Sequence, residues 1–141
     1  MSVKTKALGE KLVHVARTKP VTVQETASVK EVLALIRQKQ VHCVMVCDGP
    51  KLSGIFTERD FLMKALGNAK SSDPIRDYMT PAPVIGSLEE TLGEAVEVMN
   101  AKGLRNLPLV DAQGAPASLV TVNTIIRYLA EKNKSPLYPK D

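Results

Sequence analysis

The chain has 141 residues, 44% hydrophobic and 24% charged, a globular balance that excludes disorder and the collagen or coiled-coil biases. The net charge of +4 lies in the first 20 residues, where Lys4, Lys6, Lys11, Arg17 and Lys19 face only Glu10, and aromatic residues are 4%, so a nucleic-acid partner is not expected. No apolar run reaches the roughly 20 residues that span a bilayer and no signal-peptide pattern opens the chain, which predicts a cytoplasmic protein with no membrane contact.

A short helix is expected near Leu8–Ala16, followed by an extended strand at Val21–Val23. Ser28 and Glu31 have the spacing of a capping box, and apolar residues at 29, 32, 33 and 36 give the next helix one buried face. Val41–Cys47 is an apolar strand ending on the hairpin signal Asp48-Gly49-Pro50-Lys51. Strand Leu52–Phe56 then runs straight into a helix over Glu58–Leu66. Cys43 and Cys47 fall on one face of their strand about 13 Å apart, too far to bridge one another. They are expected as buried reduced thiols, with no redox or metal role.

After a small, polar linker at 67–72 the pattern repeats. Asp73-Pro74 opens a short helix near Ile75–Met79. At an offset of 63 residues, Pro83-Val84 echoes Pro20-Val21, and Thr91-Leu92-Gly93-Glu94-Ala95-Val96 echoes Ser28-Val29-Lys30-Glu31-Val32-Leu33. Leu104–Val110 echoes the apolar strand. The turn Asp111-Ala112-Gln113-Gly114 takes one extra residue, so strand Pro116–Val120 and helix Val122–Glu131 follow at an offset of 64.

The fold class is therefore α/β (α+β): two pseudo-symmetric units, each a small sheet with two helices. A unit of about 60 residues cannot cover its own sheet, so the two are expected to pack sheet against sheet. The expected boundaries are 1–66, a linker at 67–72, 73–131, and a tail at 132–141 in which Pro136, Leu137, Tyr138 and Pro139 extend away from the last helix.

Enzyme chemistry is not expected. His14 and His42 are the only histidines, no Cys-His or Ser-His-Asp spacing occurs, and there is no P-loop or G-x-G-x-x-G string. Glu89-Glu90 reads as an acidic approach to the helix capped by Thr91. No Cys/His cluster has metal-ligand spacing, and no catalytic residue or required cofactor is assigned.

The sharpest string is Gly54-Ile55-Phe56-Thr57-Glu58-Arg59-Asp60. Together with the repeat, Tyr78-Met79-Thr80-Pro81 at the junction and Leu104-Arg105-Asn106-Leu107-Pro108-Leu109-Val110-Asp111, it resembles the cystathionine-β-synthase-type (CBS) domain pair over about residues 11–131. The family string is Gly, two apolar residues, Thr or Ser, two variable residues, then Asp. The resemblance implies a non-catalytic regulatory module holding an adenine nucleotide (AMP, ADP or ATP) or S-adenosylmethionine in clefts between its halves. It also implies a homodimer and a separate regulated protein.

Carried over residue by residue, the resemblance gives Asp60 the ribose hydroxyls, a task suited to an acceptor-only carboxylate. It places Thr57 toward phosphate, beside free amides at the helix start. Val21, Thr22, Val23 and Ile55 would flank adenine. Arg105 from the other half is the phosphate partner, with His42 at the equivalent place in the first half and Arg59 inside the motif. Thr57 and Asp60 are equally an N-cap pair that needs no ligand. Arg105 also suits an exposed strand end or a salt bridge, and His42 an exposed histidine.

The second half departs from the pattern in Ser118-Leu119-Val120-Thr121-Val122-Asn123-Thr124. Ser118 replaces the Gly, Thr124 replaces the ribose Asp, and Asn106 stands where the family has His. A hydroxyl in place of the carboxylate loses charge-assisted bonds of about 1.5–3 kcal/mol, or about 10- to 100-fold in affinity. A weaker second cleft is expected at Val84, Ile85, Ser118, Thr121 and Thr124. The same departure supports the alternative of a ligand-free interaction module.

Overall fold

A computed structural model of the chain describes residues 7–132. The expected extended tail at Pro136–Pro139, and Lys4 and Lys6 of the basic stretch, lie outside the described residues. The fold is mixed α/β and divides into two compact units.

One unit comprises Pro20–Val84 and Ala112–Pro116. Its sheet runs in the order β1 (Thr22–Gln24), β2 (Cys43–Asp48), β3 (Lys51–Thr57) and β4 (Thr80–Pro81). β1 and β2 are parallel, which requires a crossover, supplied by helix α1 (Val29–Lys39). The start of α1 leaves amides with no partner inside the helix. Ser28 Oγ accepts from Glu31 N–H, and the carbonyls of Asp73 and Ser71 accept from Val29 and Lys30 at 2.8 and 3.0 Å. The linker is thereby docked on this helix. Glu31 does not close the expected reciprocal cap; its Oε1 accepts from the Ser28 hydroxyl at 3.0 Å instead.

Val29 and Val32 of α1 form the core with Val44, Val46, Phe56 and Ile75. β2 is buried over its first five residues, which is why it reads as a continuous apolar run rather than an alternating one. β3 leads into α2 (Glu58–Asp60) and at once into a π-helical turn, Phe61–Ala65, closed by Leu66 N–H to Phe61 O at 2.8 Å. The uniform helix expected over Glu58–Leu66 is thus α-helical only in its first turn.

Among the described residues, the other unit comprises residues 7–19, Ile85–Asp111 and residues 117–132. It holds α3 (Leu92–Lys102), β5 (Asn106–Val110), all but the first residue of β6 (Pro116–Thr121) and α4 (Val122–Lys132). Thr91 and Glu94 close a full capping box on α3. Leu92, Ala95, Leu107, Leu109 and Val120 are buried. The strand expected at Val84 shrinks to one parallel bridge, Gly86↔Leu109, at the positions equivalent to Val23↔Val46 in the first repeat. A Cβ at Gly86 would lie 3.0 Å from Leu109 Cδ2 and 3.3 Å from Leu107 Cδ2, so any side chain here would have to push these buried leucines aside by a few tenths of an ångström.

Both expected lead helices are single 3-10 turns, Leu12–His14 and Ile75–Asp77. A helix over Leu8–Ala16 would send the amides of Leu12 and Val13 back to its own first turn. They bond instead to Glu90 O and Leu88 O at 2.8 and 3.0 Å. Bridges Lys11↔Thr91 and Ser28↔Pro74 occupy equivalent positions, so each lead segment folds with the other repeat. Among the described residues, no helix is long and apolar enough to cross a membrane.

Candidate functional site

Thr57, the last residue of β3, caps α2. Its Oγ1 accepts from Asp60 N–H at 3.1 Å, while Asp60 Oδ2 accepts from Thr57 N–H at 3.0 Å and from the Thr57 hydroxyl at 3.1 Å. The other carboxylate oxygen, Oδ1, accepts from Thr80 Oγ1 at 2.8 Å and pairs with Lys64 Nζ at 3.0 Å. Lys64 Nζ also donates to Met79 O at 3.2 Å. Asp60 is only 5% exposed, one of two buried polar or charged residues among those described. A buried polar group is costly unless partners replace its water, and here three hydrogen bonds and the Lys64 ion pair do so.

Two of the helix-start amides expected for a phosphate are already engaged. Asp60 N–H goes to the cap, and Glu58 N–H donates to His42 O at 3.2 Å. Close by on β2, the buried Cys43 thiol is pushed up to about 12 by desolvation, with the Glu58 and Asp60 carboxylates adding to it. Cys47 is raised by burial as well. Neither cysteine is in a disulfide.

In the second repeat the cap survives without the charge. Thr124 Oγ1 accepts from Thr121 N–H at 3.0 Å, Thr121 Oγ1 accepts from Thr124 N–H at 3.0 Å, and the two hydroxyls are 3.0 Å apart. Val122 N–H bonds Arg105 O at 3.2 Å, matching the Glu58–His42 bond. Ser118, 2% exposed, donates to the carbonyls of Ala16 and Thr18 at 3.0 Å each.

The family model for the CBS domain matches residues 12–67 and again 75–131. This chain belongs to the CBS-domain family. An uncharacterized protein of Methanopyrus kandleri is 30% identical over 117 residues, covering 81% of this chain and 60% of the relative. The chain spans smaller shares of other relatives: 16% of a CBS domain-containing protein of Arabidopsis thaliana and 22% of inosine-5′-monophosphate dehydrogenase of Aquifex aeolicus. Among solved structures, CBSX2 in complex with AMP is 24% identical with a TM-score of 0.73, over 87% of this chain and 98% of that one. A CBS domain pair solved with 5′-methylthioadenosine and S-adenosyl-L-methionine is 22% identical with a TM-score of 0.77, over 86% and 97%. At these identities the likeness is one of fold.

Within the first CBS repeat, Thr22, Met45, Ile55 and Thr80 form one row across the four strands, and directly opposed residues share a sheet face. Thr22 is exposed and Ile55 buried, whereas Val21 and Val23 pack against the core on the helix side. Arg59 and His42 are exposed, with His42 Nδ1 3.3 Å from Glu58 Oε1, an exposed pair of small energetic weight. Arg105, in the other unit, is also exposed. Of the second-repeat residues, Ile85 is exposed, Val84, Thr121 and Thr124 are half-buried, and Ser118 is buried. No group of three or more His, Cys, Asp or Glu among the described residues could hold a metal.

Lys64 and Thr80 are site residues that motif reading does not find. Lys64 is legible in principle, because i, i+4 residues share a helix face. Thr80 reaches Asp60 only through the β3–β4 register, which no local signal encodes.

Proposed function

We propose that this chain is a non-catalytic regulatory CBS pair whose first repeat binds an adenine nucleotide or S-adenosylmethionine through Asp60. The observation that carries the proposal is the buried Asp60 carboxylate, set by a complete Thr57 cap, where the second repeat has only the Thr124 hydroxyl. Neighbours of the same fold solved with AMP, and with S-adenosyl-L-methionine, support an adenosine-type ligand. Asp60 would accept from the ribose hydroxyls, Thr57 would stand toward phosphate, and Thr22 and the β1 backbone would border the base. Exposed Leu62, Met63 and Leu66 on the first repeat, and Val122 and Ile126 on the second, support signalling through self-association or a partner protein.

A second function is a ligand-free interaction module, favoured by the three hydrogen bonds and the Lys64 ion pair that already surround Asp60. A thermal-shift panel of AMP, ADP, ATP and S-adenosylmethionine separates the two. A rise in melting temperature with at least one compound, absent in Asp60→Asn, is the expected result. No shift with any of them supports the interaction module instead.

A further inference from the structure

A carboxylate has about four lone-pair positions to offer, and four groups already stand around Asp60: Thr57 N–H and Thr57 Oγ1 hydrogen-bond Oδ2, Thr80 Oγ1 hydrogen-bonds Oδ1, and Lys64 Nζ forms an ion pair with Oδ1 at 3.0 Å. Vicinal ribose hydroxyls bring two more donors. Two residents therefore have to leave before a nucleoside can bind in the manner proposed above, on which this step rests.

The two Thr57 donors belong to the cap, where the same hydroxyl also accepts Asp60 N–H at 3.1 Å; releasing them would undo the start of α2. The Oδ1 pair is replaceable. Thr80 is exposed, and its hydroxyl can turn to water. The Lys64 side chain is 42% exposed, and its ammonium keeps Met79 O at 3.2 Å when it lets go of Asp60. Both sit on the same carboxylate oxygen and hold each other at 3.4 Å, like two adjacent hydroxyl donors.

We infer that Lys64 and Thr80 are an internal occupant of the ribose position and that their displacement sets the affinity of this site. The competition lies at the sugar, so it acts on a nucleoside and a nucleotide alike. Removing either donor favours the ligand-bound state, because a ligand's effect is its differential interaction with the two states.

The test is calorimetric titration of adenosine and of AMP into the wild type, Thr80→Val, Lys64→Met, and each of these combined with Asp60→Asn. Thr80→Val is isosteric at an exposed strand residue, so it decides the matter even if Lys64→Met folds poorly. Expected are about 3-fold tighter binding in Thr80→Val and about 10-fold in Lys64→Met, for both probes, lost whenever Asp60 is Asn. Affinity unchanged or weakened in both variants, with wild-type binding intact, overturns the inference and leaves nucleotide binding standing. No binding of either probe to any of these proteins overturns the inference together with the nucleotide function.

Discussion

Ser118 holds Ala16: its hydroxyl donates to the Ala16 carbonyl at 3.0 Å from a fully buried position. At the equivalent place in the first repeat, Gly54 lies against Met79, whose Sδ would collide with any Cβ at position 54. The two repeats fill this place differently: Gly54 leaves room for the Met79 side chain, whereas Ser118 reaches the backbone carbonyl of the smaller Ala16.

This exchange predicts coupling. Gly54→Ser alone should destabilise by about 1 kcal/mol, at the low end for overpacking because the Met79 side chain is flexible. Gly54→Ser with Met79→Ala recreates the second-repeat pair and should cost less than the sum of its single substitutions by about 1 kcal/mol in denaturant melts. Strict additivity would contradict the packing argument.

The two long helices following the lead strands end on left-handed residues at equivalent positions, Gln40 (φ 54°) and Gly103 (φ 64°). A side chain costs about 1 kcal/mol in that conformation. Gln40→Gly should therefore stabilise by up to about 1 kcal/mol and Gly103→Ala should destabilise by about the same. Chemical denaturation checks both, and a loss of stability in Gln40→Gly would refute the strain.

Asp73 accepts from the Tyr78 hydroxyl at 2.6 Å and from Lys70 N–H at 2.9 Å. The tyrosine bond foremost, then the Lys70 amide, hold its carboxyl below the ordinary 3.8. The same bond raises Tyr78 above 10.0. The depressed acid contributes stability that is complete above the ordinary Asp value and is lost as pH falls through the folded one. The raised phenol contributes stability that is complete below 10.0 and is lost as pH rises through its folded value. Melting curves of Tyr78→Phe should be less pH-dependent at both ends than those of the wild type; parallel profiles would exclude this pairing in solution.

Cys43 and Cys47 are buried on β2, and the Cys43 thiol is pushed up to about 12. Thiolate is the reacting species, so a disulfide reagent at neutral pH should leave both sulfurs untouched in the native protein and titrate both after denaturation. Rapid modification of either in the native state would show that the sheet does not enclose them.

What was legible in the sequence is what is encoded locally. The Thr91–Glu94 box, the apolar stripe at Val29 and Val32, and the Thr57–Asp60 spacing each lie within one or two helical turns, and the repeat doubled every such signal. The partnering of lead segments with the opposite repeat was not legible, because Lys11↔Thr91 and Ser28↔Pro74 are backbone bridges between distant stretches that carry no side-chain code. Nor was the crowding of Asp60: the motif names the carboxylate, while Thr80 arrives through strand pairing 20 residues away.

The central claim is that the repeats are unequal as ligand sites, and calorimetric titration of AMP measures this directly, with Asp60→Ala and Thr124→Ala alongside the wild type. One site per chain, at least 10-fold weakened in Asp60→Ala and little changed in Thr124→Ala, is the result expected from a carboxylate in one repeat and a hydroxyl in the other. Two sites of equal affinity, or binding indifferent to Asp60, would contradict it.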